Sequence, residues 1–235
     1  RDPTTASSLP AAPHAAPLRR RTGLALAAAL ALPRAAWAQA APMRLLTGFP
    51  TGIVDQVARQ LAEGLGPALQ RSVIVEAHAG ASGRLALEAA RGARADGDTL
   101  VVVPHGAMTL FPHVFRALRY DPERDFAPVA QLATFAFALG AAPQVPAARL
   151  QDMPAWVRGR AESTAYCSPG MGTVPHFLGE RYAASTGLAL LHVPFKSPAE
   201  ILPAVMGNQV PLVFLPLGDL LPAARAGKLR LLATT

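Results

Sequence analysis

Tyr166-Cys167-Ser168-Pro169-Gly170-Met171-Gly172-Thr173-Val174-Pro175-His176 reads as the end of a strand, a glycine-bearing loop and the start of a helix. Gly170 and Gly172 let the backbone approach a ligand with no Cβ in the way. Thr173 is placed to cap the helix, and Pro175 suits its first turn. The unpaired amides of such a helix start form a seat for an anion, a carboxylate or a phosphate. A second stretch of the same design lies far upstream, Leu46-Thr47-Gly48-Phe49-Pro50-Thr51-Gly52-Ile53-Val54-Asp55. Two strand–loop–helix cradles in two halves of one chain predict a ligand held between two lobes. Glycine-rich turns occur in any α/β protein, so neither loop defines a function by itself.

The 235 residues, 51% hydrophobic and 16% charged, are enough for one or two globular domains with substantial cores. The net charge of +7 does not mark a nucleic-acid binder. Residues 1–38 hold five arginines and one aspartate, so they carry +4 of it. The remaining +3 is spread without a lysine/arginine cluster, and aromatic residues are few. Cys167 is the one cysteine, which excludes an intrachain disulfide.

Residues 1–17 are rich in alanine, proline and small polar residues and read as disordered. Arg19-Arg20-Arg21, an apolar run over residues 24–32 and Ala36-Trp37-Ala38 follow in order. A charged region, a short hydrophobic region and an A-x-A site make a secretory signal peptide. Nine apolar residues are too few to span a bilayer, which needs about twenty. The mature chain is expected to begin near Gln39, in the periplasm.

Beyond the leader, apolar and turn residues alternate in a β/α rhythm. Arg44 to Thr47 reads as a strand, and helical spacing of Val54, Val57, Ala58, Leu61, Ala62 and Leu65 predicts a helix that Gly66-Pro67 ends. Val73-Ile74-Val75 and Leu100-Val101-Val102-Val103 are continuous apolar strands, as in a parallel sheet covered on both faces. Loops at the carboxyl ends of such strands are where open α/β sheets bind ligands. Asp121-Pro122 and Asp125 mark a break, and an apolar stretch over 129–139 is expected to cross between lobes. Strands over 165–168, 190–194, 210–215 and 229–233 then alternate with helices over 177–186, 198–206 (with Pro203 inside, expected to kink it) and 220–226. The organisation is therefore a leader over 1–38, a first α/β lobe over 39–125 and a second over 126–227. Residues 228–235 are expected to return toward the first lobe and to stop short, as in a C-terminally truncated chain.

Several segments carry a family resemblance. Phe49-Pro50-Thr51-Gly52 with Asp55 resembles an F-x-P-G-G-x-x-D loop, and Gly80-Ala81-Ser82-Gly83 resembles a G-A-G-G turn. Asp96-Gly97-Asp98-Thr99-Leu100 resembles D-G-Y-T-L. Leu118-Arg119-Tyr120-Asp121-Pro122 with Asp125 to Val129 resembles L-x-Y-D-P-x-x-D-F-x-P-V. Ser168 to Thr173 with His176 resembles S-x-G-x-G-T-x-x-H, His192 to Lys196 resembles H-V-P-Y-K, and Ala226 to Arg230 resembles A-G-K-L-R. In that order and spacing they are similar to the solute-binding receptors of tripartite tricarboxylate transporters, the Bug-type periplasmic proteins.

The resemblance implies a two-lobed periplasmic-binding-protein-like fold of type II that closes on a small carboxylate through backbone amides and water. It implies a monomeric extracytoplasmic receptor that serves a membrane permease and does not catalyse. Phe49, Pro50, Thr51 and Gly52 would form the first-lobe side of the site. Ser168, Gly170, Met171, Gly172 and Thr173 would form the second, with His105 and Gly106 on the same rim. The same fold could instead feed a signalling partner.

A hydrolase built on Ser168, His176 and His192, or on Cys167, is the competing reading. No G-x-S-x-G elbow surrounds Ser168, however, and Pro169 follows it directly. No H-x-x-x-H or C-x-x-C spacing supports a metal, and no G-x-x-x-x-G-K-[ST] or G-x-G-x-x-G motif supports a nucleotide. Neither a cofactor nor a metal is expected.

Overall fold

A computed structural model describes residues 41–160 and 164–235. The expected signal peptide and leader lie outside the described residues. Strand β1 (Met43–Thr47) opens a parallel three-stranded sheet of order β2-β1-β3. Helix α1 (Ile53–Leu69) returns the chain to β2 (Val73–Ala77), and α2 (Arg84–Arg91) leads to β3 (Thr99–Val102). Short helices α3 (Gly106–Thr109) and α4 (Phe111–Val114) follow. Leu45, Ala58 and Val102 are buried between β1, α1 and β3, and Leu87, Ala107, Phe111 and Tyr120 form a second small core beside them.

The second sheet has five strands in the order β6-β5-β7-β4-β8. They are β4 (Phe137–Ala141), β5 (Thr164–Ser168), β6 (Leu190–Pro194), β7 (Leu212–Pro216) and β8 (Arg230–Thr234). Helices α5 (Met153–Arg158), α6 (Val174–Thr186), α7 (Pro198–Met206) and α8 (Leu217–Arg225) connect them. β5 pairs parallel with β6 and β7, whereas β4 pairs antiparallel with β7 and β8. All five residues of β7 are buried, as the central strand of a sheet covered on both faces must be.

Two expectations are corrected. Gly66-Pro67 does not end α1, which runs on to Leu69. Pro67 removes the hydrogen bond to the Glu63 carbonyl, but both residues are exposed, so water can satisfy that oxygen. Pro203, also exposed, sits within α7 at the place expected. Of the apolar stretch 129–139 only its end joins a strand; Val129 is 79% exposed in a segment with no regular structure. The strand expected to return toward the first lobe is β8, and it extends the five-stranded sheet by pairing with β4. Apolar Leu231 and Leu232 explain this placement, since both pack on the core of that sheet.

That core has Tyr166 near its centre, fully buried on β5. The ring passes under α6 at Gly179, where a Cβ would lie 2.1 Å from Tyr166 Cε2. Its hydroxyl lies 2.7 Å from Glu180 Oε1 and 3.0 Å from the His176 carbonyl oxygen, so the ring is held at its far end. Gly179→Ala is therefore expected to lower stability by about 1–3 kcal/mol through overpacking, despite alanine's better helix propensity. At the exposed Gly64, where a Cβ would meet nothing within 4 Å, the same change is expected to raise stability by up to about 1 kcal/mol. Urea denaturation of the two variants reads the opposite signs directly.

Candidate functional site

The two loops singled out in the sequence border one cavity, and each leads into a helix. The first leaves β1 at Thr47, whose Oγ1 lies 3.4 Å from the Phe49 amide nitrogen. Gly48 is pressed against Gly83, where a Cβ would come 2.4 Å from the Gly83 Cα. The chain enters α1 through Gly52 at φ +86°, a conformation that favours glycine. The amide of Ile53, first in the helix, is not free. It donates to Asp219 Oδ1 at 2.7 Å, across 166 residues of sequence. Asp219 stands in the first turn of α8, on the five-stranded side. A carboxylate of the protein thus occupies the anion seat at the start of α1.

Asp219 is 9% exposed, and burial pushes its carboxyl up to about 6, against the opposing pull of the Ile53 amide. Asp55, expected within the first loop's motif, is also buried but turns away into an ion pair with Arg59 at 2.8 Å.

The second loop is closed differently from expectation. Thr173 is the residue before α6, but its Oγ1 makes no cap; it donates to the Gly170 carbonyl at 2.8 Å and braces the loop itself. The Gly172 amide donates to His176 Nδ1 at 3.2 Å, so that amide is engaged too. Gly170 (φ +120°) and Gly172 (φ +80°) both need glycine, and the close approach they allow is to the first half of the chain. A Cβ on Gly170 would lie 2.4 Å from Ser82 Oγ, and one on Gly172 would lie 2.9 Å from the Phe115 ring. Ser82 Oγ also donates to the Met171 carbonyl at 2.8 Å. The glycines therefore serve contact between the two halves, a role their sequence pattern shares with ligand approach.

A cavity of about 60 Å³ lies between the loops. Of the expected site residues, Phe49, Thr51, His105, Gly106 and Thr173 line it. Pro50, Gly52, Ser168, Gly170, Met171 and Gly172 do not; they shape the loops around it, with the Met171 side chain 57% exposed. The walls are mainly apolar: Phe111, Phe135 and Phe137, with Val54, Ala107 and Val174. Prolines 104, 175, 198 and 216 complete much of the rest. Thr51 Oγ1 is buried and has no hydrogen-bond partner among the described residues. Asp219 is the carboxylate of the lining, and the sequence reading missed it along with the apolar walls. It sits in Leu217-Gly218-Asp219-Leu220-Leu221, which has no motif, and only the fold brings it to Ile53.

Behind the second loop, Ser168 Oγ lies 2.8 Å from His192 Nε2, the one contact that could recommend a hydrolase. Ser168 is fully buried, and its hydroxyl is also 3.3 Å from the Gly170 carbonyl. Burial and the adjacent His176 push His192 down to about 4, so it is neutral near pH 7. No carboxylate hydrogen-bonds to His192 among the described residues, leaving it without the orienting group of a catalytic triad. Cys167 is fully buried, points its thiol at the Leu212 carbonyl 3.4 Å away, and is pushed up to about 12 by burial. A protonated thiol is no nucleophile at neutral pH. The described residues hold no group of three or more His, Cys, Asp or Glu side chains arranged for a metal.

The family of tripartite tricarboxylate transporter family receptors matches residues 57–235 of this chain. The second loop lies inside that span and the first loop just before it. A UPF0065 protein of Bordetella bronchiseptica is 30% identical over 195 residues, covering 83% of this chain and 58% of its own length. Among solved structures, an adipate-bound protein of R. palustris is 28% identical with a TM-score of 0.79, over 83% of this chain and 65% of that one. MatC from Rhodopseudomonas palustris with bound malate is 26% identical with a TM-score of 0.76, over 82% and 66%. The chain thus spans about three fifths to two thirds of these proteins' lengths.

The Asp219 carboxyl fixes a pH dependence. Its folded value of about 6 lies above its ordinary 3.8, so the folded state binds the proton more tightly. The resulting stabilisation is complete below about pH 3.8 and is lost as pH rises through about 6. Asp219→Asn keeps an acceptor for Ile53 and carries no charge. The variant is expected to gain roughly 2–3 kcal/mol on the parent between pH 4 and pH 8, at 1.36 kcal/mol per unit. Urea denaturation of both proteins at the two pH values checks it; a constant difference would mean that the carboxyl stays solvated.

Proposed function

This chain belongs to the tripartite tricarboxylate transporter receptor family, and from that premise we propose that it is an extracytoplasmic receptor for a small organic carboxylate. The two α/β lobes, one built on the three-stranded sheet and one on the five-stranded sheet, close on the ligand in the periplasm. A membrane permease of the tripartite type then receives it. The receptor acts as a monomer and binds without turnover.

The observation that carries this reading is the position of the cavity. It lies between the loop that follows β1 and the start of α6, after β5, with residues of both halves of the chain in its wall. Ligands of open α/β sheets bind at the carboxyl ends of strands, and helix starts there favour anions. The amides of Thr173 and Val174, at the start of α6, would seat the carboxylate, and the Thr51 hydroxyl would donate to it from the opposite loop. Phe49, His105 and Gly106 would complete the contact surface, and Gly170 and Gly172 would hold the second loop against the first lobe. The family likeness to adipate- and malate-bound proteins supports a carboxylate rather than another anion.

Thr51→Val tests the assignment. The change preserves shape and removes a buried hydroxyl with no partner among the described residues, so stability is expected to stay level or rise. A hydrogen bond to a charged group contributes about 1.5–3 kcal/mol, so affinity for the best carboxylate is expected to fall about tenfold or more. Calorimetric titration of parent and variant with mono-, di- and tricarboxylates measures it. Saturable binding by the parent that Thr51→Val leaves intact would move the site elsewhere. Absence of binding to every carboxylate would defeat the receptor reading.

A further inference from the structure

Granted a carboxylate receptor, we infer that Asp219 sets its selectivity: the cavity takes a monocarboxylate with an apolar body and rejects a second carboxylate. The starts of α1, α6, α7 and α8 all reach this space, through Ile53, Val174, Pro198 and Asp219. α7 begins with Pro198, which has no N–H, and α8 carries the Asp219 carboxylate itself. At α1 the seat is already taken. The Ile53 amide at the start of α1 is held by Asp219 Oδ1 at 2.7 Å, so the protein's own carboxylate fills that seat. The start of α6, where Thr173, Val174 and Pro175 reach the cavity, remains for the ligand.

The rest of the wall gives a second anion nothing to pair with. Among the described residues no lysine or arginine lines the cavity; the ionisable side chains in its wall are Asp219 and His105. Phe49, Phe111, Phe135 and Phe137 offer ring surface instead, suited to methylene or aryl groups. A second carboxylate would lose its hydration against these rings and meet the Asp219 carboxylate in a poorly screened space. A ligand whose far end is apolar avoids both costs.

Hexanoate and adipate isolate this effect, because they share a six-carbon chain and differ in the second carboxylate. At pH 8, where Asp219 is ionised, the full chain is expected to bind hexanoate at least tenfold more tightly than adipate in calorimetric titration. Asp219→Asn keeps the bond to Ile53 and removes the charge. It is expected to lower the hexanoate-to-adipate affinity ratio at least fivefold. Adipate binding as tightly as hexanoate in the parent overturns the inference, whether or not the variant folds. So does a hexanoate-to-adipate ratio unchanged by a folded Asp219→Asn. If malate binds and neither six-carbon acid does, the selectivity assignment fails and the receptor reading stands. If none of the three binds, the receptor reading fails and the selectivity falls with it.

Discussion

The approach of two backbone segments, allowed by glycine, is the constraint on which the cavity depends. Gly170 and Gly172 hold positive φ and lie so close to Ser82 and Phe115 that a side chain on either would force the halves apart. Once that approach is made, Ser82 reaches the Met171 carbonyl and Asp219 reaches the Ile53 amide. The cavity is what remains between these contacts. Its apolar lining follows from the same geometry: residues at the strand ends that would be core in a single sheet, such as Phe137 and Pro216, instead face the gap.

The alternating β/α architecture was legible because continuous apolar runs and helical spacing report local burial, which the chain encodes residue by residue. Val73 to Val75 and Leu100 to Val102 announced parallel strands for that reason. The helix that runs through Pro67 was not legible. A proline signals a lost hydrogen bond, but whether water can replace it depends on which face of α1 is exposed. The partner of β8 was hidden for a related reason. A strand's apolar pattern says that it is covered, not by which sheet, and the antiparallel pairing with β4 arises from contacts some ninety residues apart.

The site was readable in part. Glycine pairs marked both loops, because positive φ and close approach leave a compositional trace. The identity of the approaching atoms left none, so Gly170 and Gly172 looked like ligand contacts when they face Ser82 and Phe115. Thr173 fitted a cap by residue type, but its hydroxyl found the nearer Gly170 carbonyl. Asp219 was invisible: a single acidic residue in a leucine-rich helix start reads as solvent-facing until the fold places it at the opposite lobe.

The polar ties across the gap are few, and their number has an energetic meaning. The bonds of Ser82 to Met171 and of Asp219 to Ile53 join the halves. A hydrogen bond exchanged against water contributes about 1 kcal/mol, and one to a charged group somewhat more. Two of them hold a shut arrangement by a population ratio on the order of 30 to 100, since each 1.4 kcal/mol is a factor of ten. Such a clasp is strong enough to define a resting shape and leaves an opened minority of roughly 1–3%. A guest would enter through that minority.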